Sequence, residues 1–95
     1  MQMISLFNST TAAVVSGGIA VDHGMALTFV ADGTLAAGET IPIEVQTSSG
    51  WMPVMKSDVP VELTAGENPV STDKPGIYRA NKPVTAAAVG VVVYR

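Results

Sequence analysis

The chain has 95 residues, of which 47% are hydrophobic and 14% are charged, with a formal net charge of −3, no cysteine and one histidine. A chain of this length folds as one domain, residues 1–95, and it lacks the residues for disulfide bonds or for a cluster of histidine and cysteine ligands. The acidic balance excludes the basic surface typical of nucleic-acid binding, and no uninterrupted apolar stretch of about 18 residues predicts a membrane span.

The low fraction of charged residues is the first indication of function. Ordinary soluble domains contain roughly 25% charged residues, so this chain has few solvated side chains with which to cover its exterior. We therefore expect part of its surface to be covered in use, by copies of the same chain or by another protein. The alternative is a monomer whose surface is rich in serine, threonine and glycine.

The N-terminal segment, residues 1–18, has an apolar beginning and ends in two glycines. It is either the first β-hairpin of the domain or an arm that docks on a neighbouring protein by adding a strand or filling a groove. In the second case the candidate interface consists of the apolar residues at its start, Met1, Met3, Ile4, Leu6 and Phe7. The segment lacks a basic region typical of a signal peptide, so we expect no secretion.

Alternation of apolar and polar residues with a period of two predicts β-strands through the middle of the chain. The inward-facing residues of three such runs are Met25, Leu27 and Phe29, then Ile41, Ile43 and Val45, then Val59, Val61 and Leu63. Glycine-rich turns separate the runs at short intervals, and no segment has a helical apolar stripe. The pattern predicts an all-β fold, a single small antiparallel β-sandwich or a jelly-roll or barrel-like domain.

The strongest local signal is a hairpin centred on residues 48–50. Gly50 can supply the positive φ that a short hairpin loop requires, and Trp51 then begins the return strand. Because Trp51 is the largest apolar residue of the chain, we expect it to be an anchor of the core, with a ligand platform as the alternative.

The C-terminal third contains the most apolar run of the sequence. Pro75 and Gly76 fit the centre of a type II turn, with Gly76 at positive φ, and a strand over 77–80 contains Tyr78. We expect Gly76 and Tyr78 to be structural anchors, like Trp51. Residues 84–94 are apolar on both alternations, which predicts a central strand covered on both faces and paired as a hairpin with 77–80. Gly90 in this strand allows a bulge or a close backbone approach.

Residues with catalytic potential are few and dispersed. His23 lies in a turn-like stretch without a partner to orient it, and no serine lies in a nucleophile-elbow pattern. The carboxylates are scattered and fit solvent-exposed positions. We therefore expect a protein that is not an enzyme and that binds neither a metal nor a cofactor.

Four segments follow a familiar order: a strand over 38–46, the turn and tryptophan of 50–54, a strand over 61–64, and the Pro-Gly-x-Tyr-Arg-Ala motif of 75–80, followed by a valine-rich strand. In this order the region 38–95 resembles small β-rich virion structural proteins of tailed bacteriophages, of the capsid-decoration or cement type. The resemblance implies attachment to the major capsid protein on the outer surface of the virion, after synthesis in the host cytoplasm, and self-association with a trimer favoured. It supplies no catalytic residues, and residues 1–37 lie outside it.

Two functions from different classes follow. The first is a decoration or cement protein that binds a capsid and stabilises it. The alternative is a carbohydrate- or receptor-binding module of a phage tail or a cell surface, in which exposed aromatic residues bind the ligand. Its candidate residues are Trp51, Tyr78 and Tyr94.

Overall fold

Two antiparallel sheets share one core in the computed structural model, which describes residues 2–95. In chain order the strands are β1 (Met3–Thr10), β2 (Val14–Val15), β3 (Ile19–Val21), β4 (Leu27–Asp32), β5 (Ile41–Thr47), β6 (Gly50–Pro53), β7 (Met55–Lys56), β8 (Val59–Pro60), β9 (Glu62–Leu63), β10 (Val70–Thr72), β11 (Gly76–Lys82) and β12 (Val89–Tyr94). One sheet has the order β1-β12-β4-β10, and the other has the order β2-β11-β5-β6, with β3 also on β11 and β9 also on β5. Strands β7 and β8 form a separate hairpin. The predicted all-β, sandwich-like fold is confirmed.

The core consists of the inward-facing residues of both sheets. Its most deeply buried side chains, each at most 1% exposed, include Leu27, Phe29, Ile41, Ile43, Leu63, Val89, Val91 and Val93. The predicted alternation is therefore confirmed in β4 and β5. It is wrong for Met25 and Val59, which are 40% and 61% exposed. Met25 precedes β4, and Val59 belongs to the separate hairpin, so neither lies over the core.

The predicted hairpin around residues 48–50 is confirmed. Thr47 pairs with Gly50 at the end of β5 and β6, and Gly50 has a φ of 107°. Gly76 differs from the prediction, because it begins β11 opposite Val21 and is not among the glycines at positive φ. The expected type II turn with Gly76 at positive φ is therefore wrong. Tyr78, two residues further along β11, is 3% exposed in the core and its hydroxyl donates to the Lys74 carbonyl at 2.7 Å.

The valine-rich strand β12 lies between β1 and β4, so its central position is confirmed. The strand begins at Val89 rather than at residue 84, and Val84 is 72% exposed. The predicted hairpin with 77–80 is wrong, because β11 belongs to the other sheet. Residues 83–88 carry the chain from one sheet to the other instead of turning it back along its own edge.

The N-terminal segment is divided between the two sheets. Strand β1 pairs with β12, whereas β2 pairs with the end of β11. The interpretation of 1–18 as a first hairpin is therefore wrong. Strand β1 instead covers the C-terminal strand of the same chain, so its removal would expose one long side of β12.

A close backbone contact joins β1 to β12 at Gly90. The register of β1 shifts between Ser5 and Phe7 and again between Phe7 and Thr10, so the strand bulges over its partner. A Cβ atom at Gly90 would lie 2.8 Å from the Phe7 carbonyl oxygen and 2.9 Å from the Ser9 nitrogen. The close approach that the sequence allowed at Gly90 is confirmed, and a side chain there would push β1 away from β12.

The change Gly90→Ala is expected to lower the free energy of unfolding by about 1–3 kcal/mol, because the added methyl group overpacks rigid backbone. Urea denaturation of the purified protein measures the change. Gly17→Ala is the matched control, since a Cβ at Gly17 has no atom within 4 Å. Equal stability of the two variants would contradict the contact.

A buried lysine holds the crossing between the sheets. Lys82 is 1% exposed, and its Nζ donates to the carbonyls of Ala12 at 2.7 Å and Pro83 at 3.0 Å. Burial lowers the pKa of the Lys82 ammonium group, and the nearby Glu39 carboxylate partly offsets this effect. Glu39 in turn accepts the backbone N–H groups of Ala36 at 2.9 Å and Ala86 at 2.8 Å. These bonds link the 36–39 turn, the 83–88 crossing and the chain after β1.

The backbone hydrogen bonds from Ala36 and Ala86 lower the pKa of Glu39 below its usual 4.5. A carboxyl group whose pKa falls on folding stabilises the fold above the unfolded value and loses this effect as the pH drops through the folded value. We therefore expect wild type to be more stable than Glu39→Gln at pH 7, with a gap that narrows as the pH falls below 4.5. Urea denaturation of both proteins across this range measures the gap, and a gap that stays constant would contradict the role of the ionised carboxylate.

Candidate protein-binding surface

The outer face of the four-stranded sheet carries an almost uncharged surface. Strand pairing places two rows of side chains across it, the first containing Met3, Tyr94, Thr28 and Ser71 and the second containing Ser5, Val92 and Val30. We call these seven residues the neutral face. The four strands of this sheet contain one charged residue, Asp32, at the end of β4.

The two central strands of the neutral face carry Val30 and Val92 beside the hydroxyl groups of Thr28 and Tyr94, and its two edge strands carry Met3, Ser5 and Ser71. Val30, Val92, Thr28 and Tyr94 are half-buried, and Val92 and Tyr94 pair directly with Val30 and Thr28 across the sheet. The hydroxyl groups of Thr28 and Ser71 lie 3.0 Å apart and form a hydrogen bond. We expected the valine-rich strand to be covered on both faces. This chain buries the core side of the strand, with Val89, Val91 and Val93, and leaves the outer side half-buried. No further sheet within residues 2–95 pairs with this one.

The outer face of the six-stranded sheet has the opposite character. Arg79 Nε donates to Glu44 Oε1 at 2.7 Å, and Asn81 lies 3.5 Å from the other oxygen of the same carboxylate. These side chains point outward because Tyr78 and Ala80, which alternate with them on β11, are buried in the core. Charge is therefore distributed unequally between the two outer faces.

Trp51 lies on this charged outer face, so the prediction of a core side chain is wrong. Trp51 pairs with Gln46, an outward-facing residue of β5, and it is half-buried. The Arg79 guanidinium carbon stands 4.3 Å from the centre of the indole ring, which fits a cation–π contact. The two turn residues between Thr47 and Gly50 fix the register of this hairpin. The next pair after Thr47 and Gly50 is Gln46 and Trp51, so the sequence alone could have predicted that Trp51 faces outward with Gln46.

The three aromatic residues considered for carbohydrate binding do not come together. Tyr78 is buried in the core, Tyr94 belongs to the neutral face, and Trp51 lies on the opposite outer face. The ring of Trp51 is also occupied, since Arg79 lies over it and Gly18 lies beside its benzo edge. No platform of several aromatic residues forms within the described residues 2–95.

The separate hairpin of β7 and β8 is a second apolar region. Two of the eight large apolar side chains that are exposed among residues 2–95, Met55 and Val59, lie on it, and a third, Met52, lies on β6 three residues before Met55. Ser57 and Asp58 both have positive φ, of 52° and 63°, as a two-residue type I′ turn requires. Two clefts of about 330 Å³ and 320 Å³ lie between this hairpin and β10. The sequence interpretation missed this region, because the alternation of 59–63 resembles that of a buried strand.

Most of the candidate interface at the N-terminus takes part in the fold. Ile4, Leu6 and Phe7 are partly buried and pack against the core, whereas Met3 is 60% exposed and belongs to the neutral face. Met1 lies outside the described residues. Contact of this segment with a partner stays a prediction, and of its four described members Met3 is the one with a largely exposed side chain.

No group of three histidine, cysteine, aspartate or glutamate side chains suitable for a metal ion occurs within residues 2–95. His23 lies in an exposed turn. The same part of the chain contains no helix of the length and apolar character needed to cross a membrane.

Comparison of the chain with models of known families, with curated proteins and with solved structures gives no match. The resemblance to phage virion proteins therefore rests on the sequence segments named above.

The Arg79–Trp51 contact is expected to contribute about 0.5–1 kcal/mol to stability, as a partly exposed cation–π pair does. A double-mutant cycle with Arg79→Met and Trp51→Leu, followed by urea denaturation, measures this coupling energy. The control cycle combines Trp51→Leu with Lys56→Met on the separate hairpin, and we expect no coupling energy between these two changes. Additive effects of Arg79→Met and Trp51→Leu would show that the two side chains do not stabilise each other.

Proposed function

We propose that this protein is a non-enzymatic structural module that binds the outer surface of a tailed-phage capsid and stabilises it. The observation that carries the proposal is the neutral face, an uncharged surface of valine, methionine and hydroxyl-bearing side chains on a small acidic domain. Such a face suits contact with a folded protein, because its neutral groups lose little hydration when a partner covers them. The virion-like order of motifs in 38–95 supports the choice of partner, the major capsid protein.

The size of the neutral face favours a repetitive partner. Each outward side chain occupies about 6.8 Å along its strand and about 4.8 Å across the sheet, so the seven residues of the neutral face cover roughly 230 Å². A stable pairwise interface covers about 800 Å² on each partner, so this face alone forms a weak contact. On a capsid many equivalent contacts form, and linked copies gain affinity from one another without a strong single site.

Stabilisation of the shell follows from the same contacts. A molecule that binds the assembled state and not the dissociated subunits shifts the equilibrium towards assembly by mass action. This mechanism needs no acid, base or nucleophile in the bound molecule. The exposed apolar residues of the β7–β8 hairpin provide further area beside the sheet for contact with an adjacent subunit.

The test of this function is the composition of purified particles of a tailed phage that carries this gene. We expect quantitative mass spectrometry to find many copies of the chain per particle, and cryo-electron microscopy to show its density on the outer capsid surface. Absence of the chain from purified particles, or its presence only in the tail, would contradict the proposal.

Thr28→Lys tests the neutral face directly. A lysine at the middle of this face would be buried without a partner charge on binding, so we expect at least about tenfold weaker binding to capsids that lack the protein. Co-sedimentation of the purified variant with such capsids measures the affinity. The matched control is Gln46→Lys, which adds the same charge to the outer face of the six-stranded sheet and should bind like wild type.

Equal loss of binding in both variants would indicate a general effect of charge. Loss only in Gln46→Lys would assign the contact to the charged face. Near-ultraviolet circular dichroism of both variants establishes that each remains folded.

A further inference from the structure

The sheet edges of this domain are protected unequally. In the six-stranded sheet, β2 has two residues and β6 ends at Pro53. In the four-stranded sheet, β10 has three residues and faces the β7–β8 hairpin across the two clefts. The remaining edge is β1, which has eight residues, no charged side chain and no proline. Short strands, prolines, charges and β-bulges are the usual means by which an edge avoids pairing with another chain. Strand β1 lacks the first three, and its register shifts lie after Ser5, so Met3–Ser5 form a regular stretch of this edge.

The backbone of β1 presents free hydrogen-bonding groups on this edge. Gln2 and Arg95 exchange both of their backbone hydrogen bonds, at 2.7 Å and 3.0 Å, which fixes the phase of the antiparallel ladder. Ile4 is then hydrogen-bonded to Val93, whereas the N–H and C=O groups of Met3 and Ser5 point away from β12. Strand β1 ends the sheet, and no other strand within residues 2–95 pairs with its outer side.

We propose that β1 pairs with β1 of a second copy of this chain, antiparallel, to join two four-stranded sheets into one sheet of eight strands. We choose a second copy as the partner because β1 has no charged residue, so pairing two β1 strands brings no like charges together. The net charge of −3 on each molecule is carried by other parts of the chain. Antiparallel self-pairing also forms a closed two-fold interface in which each copy presents the same edge. A trimer, which the sequence resemblance favours, would require two different surfaces to meet.

The pairing enlarges the neutral face. A two-fold axis between antiparallel edge strands is normal to the sheet, so the outer faces of both copies lie on the same side. The combined face then reaches about 460 Å², more than half of the roughly 800 Å² that one side of a standard interface covers. The dimer does not depend on the capsid proposal, and it would form whatever the neutral face binds.

The test combines light scattering with amide hydrogen exchange on the purified protein, from micromolar to millimolar concentration. We expect the mass to approach that of a dimer as the concentration rises. Over the same range the amide protons of Met3 and Ser5 should become protected, whereas that of Ile4 is protected throughout because it donates to β12. If the β1 edge is the contact, the molecular mass and the protection of the Met3 and Ser5 amides rise over the same range of protein concentration.

Ser5→Lys should raise the dimer dissociation constant about tenfold or more, because a lysine on the edge opposes strand addition. Ser71→Lys is the control, since it places the same charge on the same outer face at the opposite edge, on β10. Backbone amide spectra of both variants verify the fold through the signals of Val91 and Val93.

Weakened dimerisation in Ser5→Lys and not in Ser71→Lys supports the pairing. A monomer at all concentrations, a trimer, or a dimer in which the exchange of the Ser5 amide is independent of concentration overturns it. None of these outcomes bears on whether the chain is found in virions, so failure of the dimer and failure of the capsid proposal are separately visible.

Discussion

The placement of one apolar strand determines most of this structure. Strand β12 has apolar residues on both alternations, so a strand on each side and cover over its core face stabilise it. Val89, Val91 and Val93 on one alternation are buried against the other sheet, and β1 and β4 occupy its two edges. Because the N-terminal strand is one of these neighbours, the two ends of the chain are bound to each other, and Gly90 allows β1 to lie close against β12.

The route of the chain into β12 explains why the strand does not pair with its predecessor. Residues 83–88 leave the six-stranded sheet and enter the other, and the crossing is bound at both ends. Lys82 inserts its ammonium group among backbone carbonyls, and the Glu39 carboxylate accepts the N–H of Ala86. A lysine buried in so small a domain loses hydration, and its carbonyl bonds and the nearby carboxylate offset part of that loss.

The parts of the fold that depend on local alternation were predictable, and the parts that depend on strand order were not. The inward residues of β4 and β5 and the hairpin at Gly50 follow from periods and turn chemistry within a few residues. Pairing of β1 with β12 joins residues almost a whole chain apart, and no local pattern encodes it. Trp51 is an intermediate case, because its side of the sheet follows from the hairpin register whereas its size alone suggested the core.

The unequal distribution of charge between the two outer faces is the feature that connects the fold to a function. An antiparallel sheet with one solvent-exposed face normally carries polar and charged residues on that face. The six-stranded sheet follows this rule, with Glu44, Arg79 and Asn81 on its outer face. The four-stranded sheet instead places valine, threonine and tyrosine on its outer face, with Asp32 at the end of one strand. A face of this composition retains some of the apolar character of a core, and the free edge of β1 adjoins it. We propose that a second protein surface covers both features, and these four strands, with one charged residue among 23, contribute to the low charge of the whole sequence.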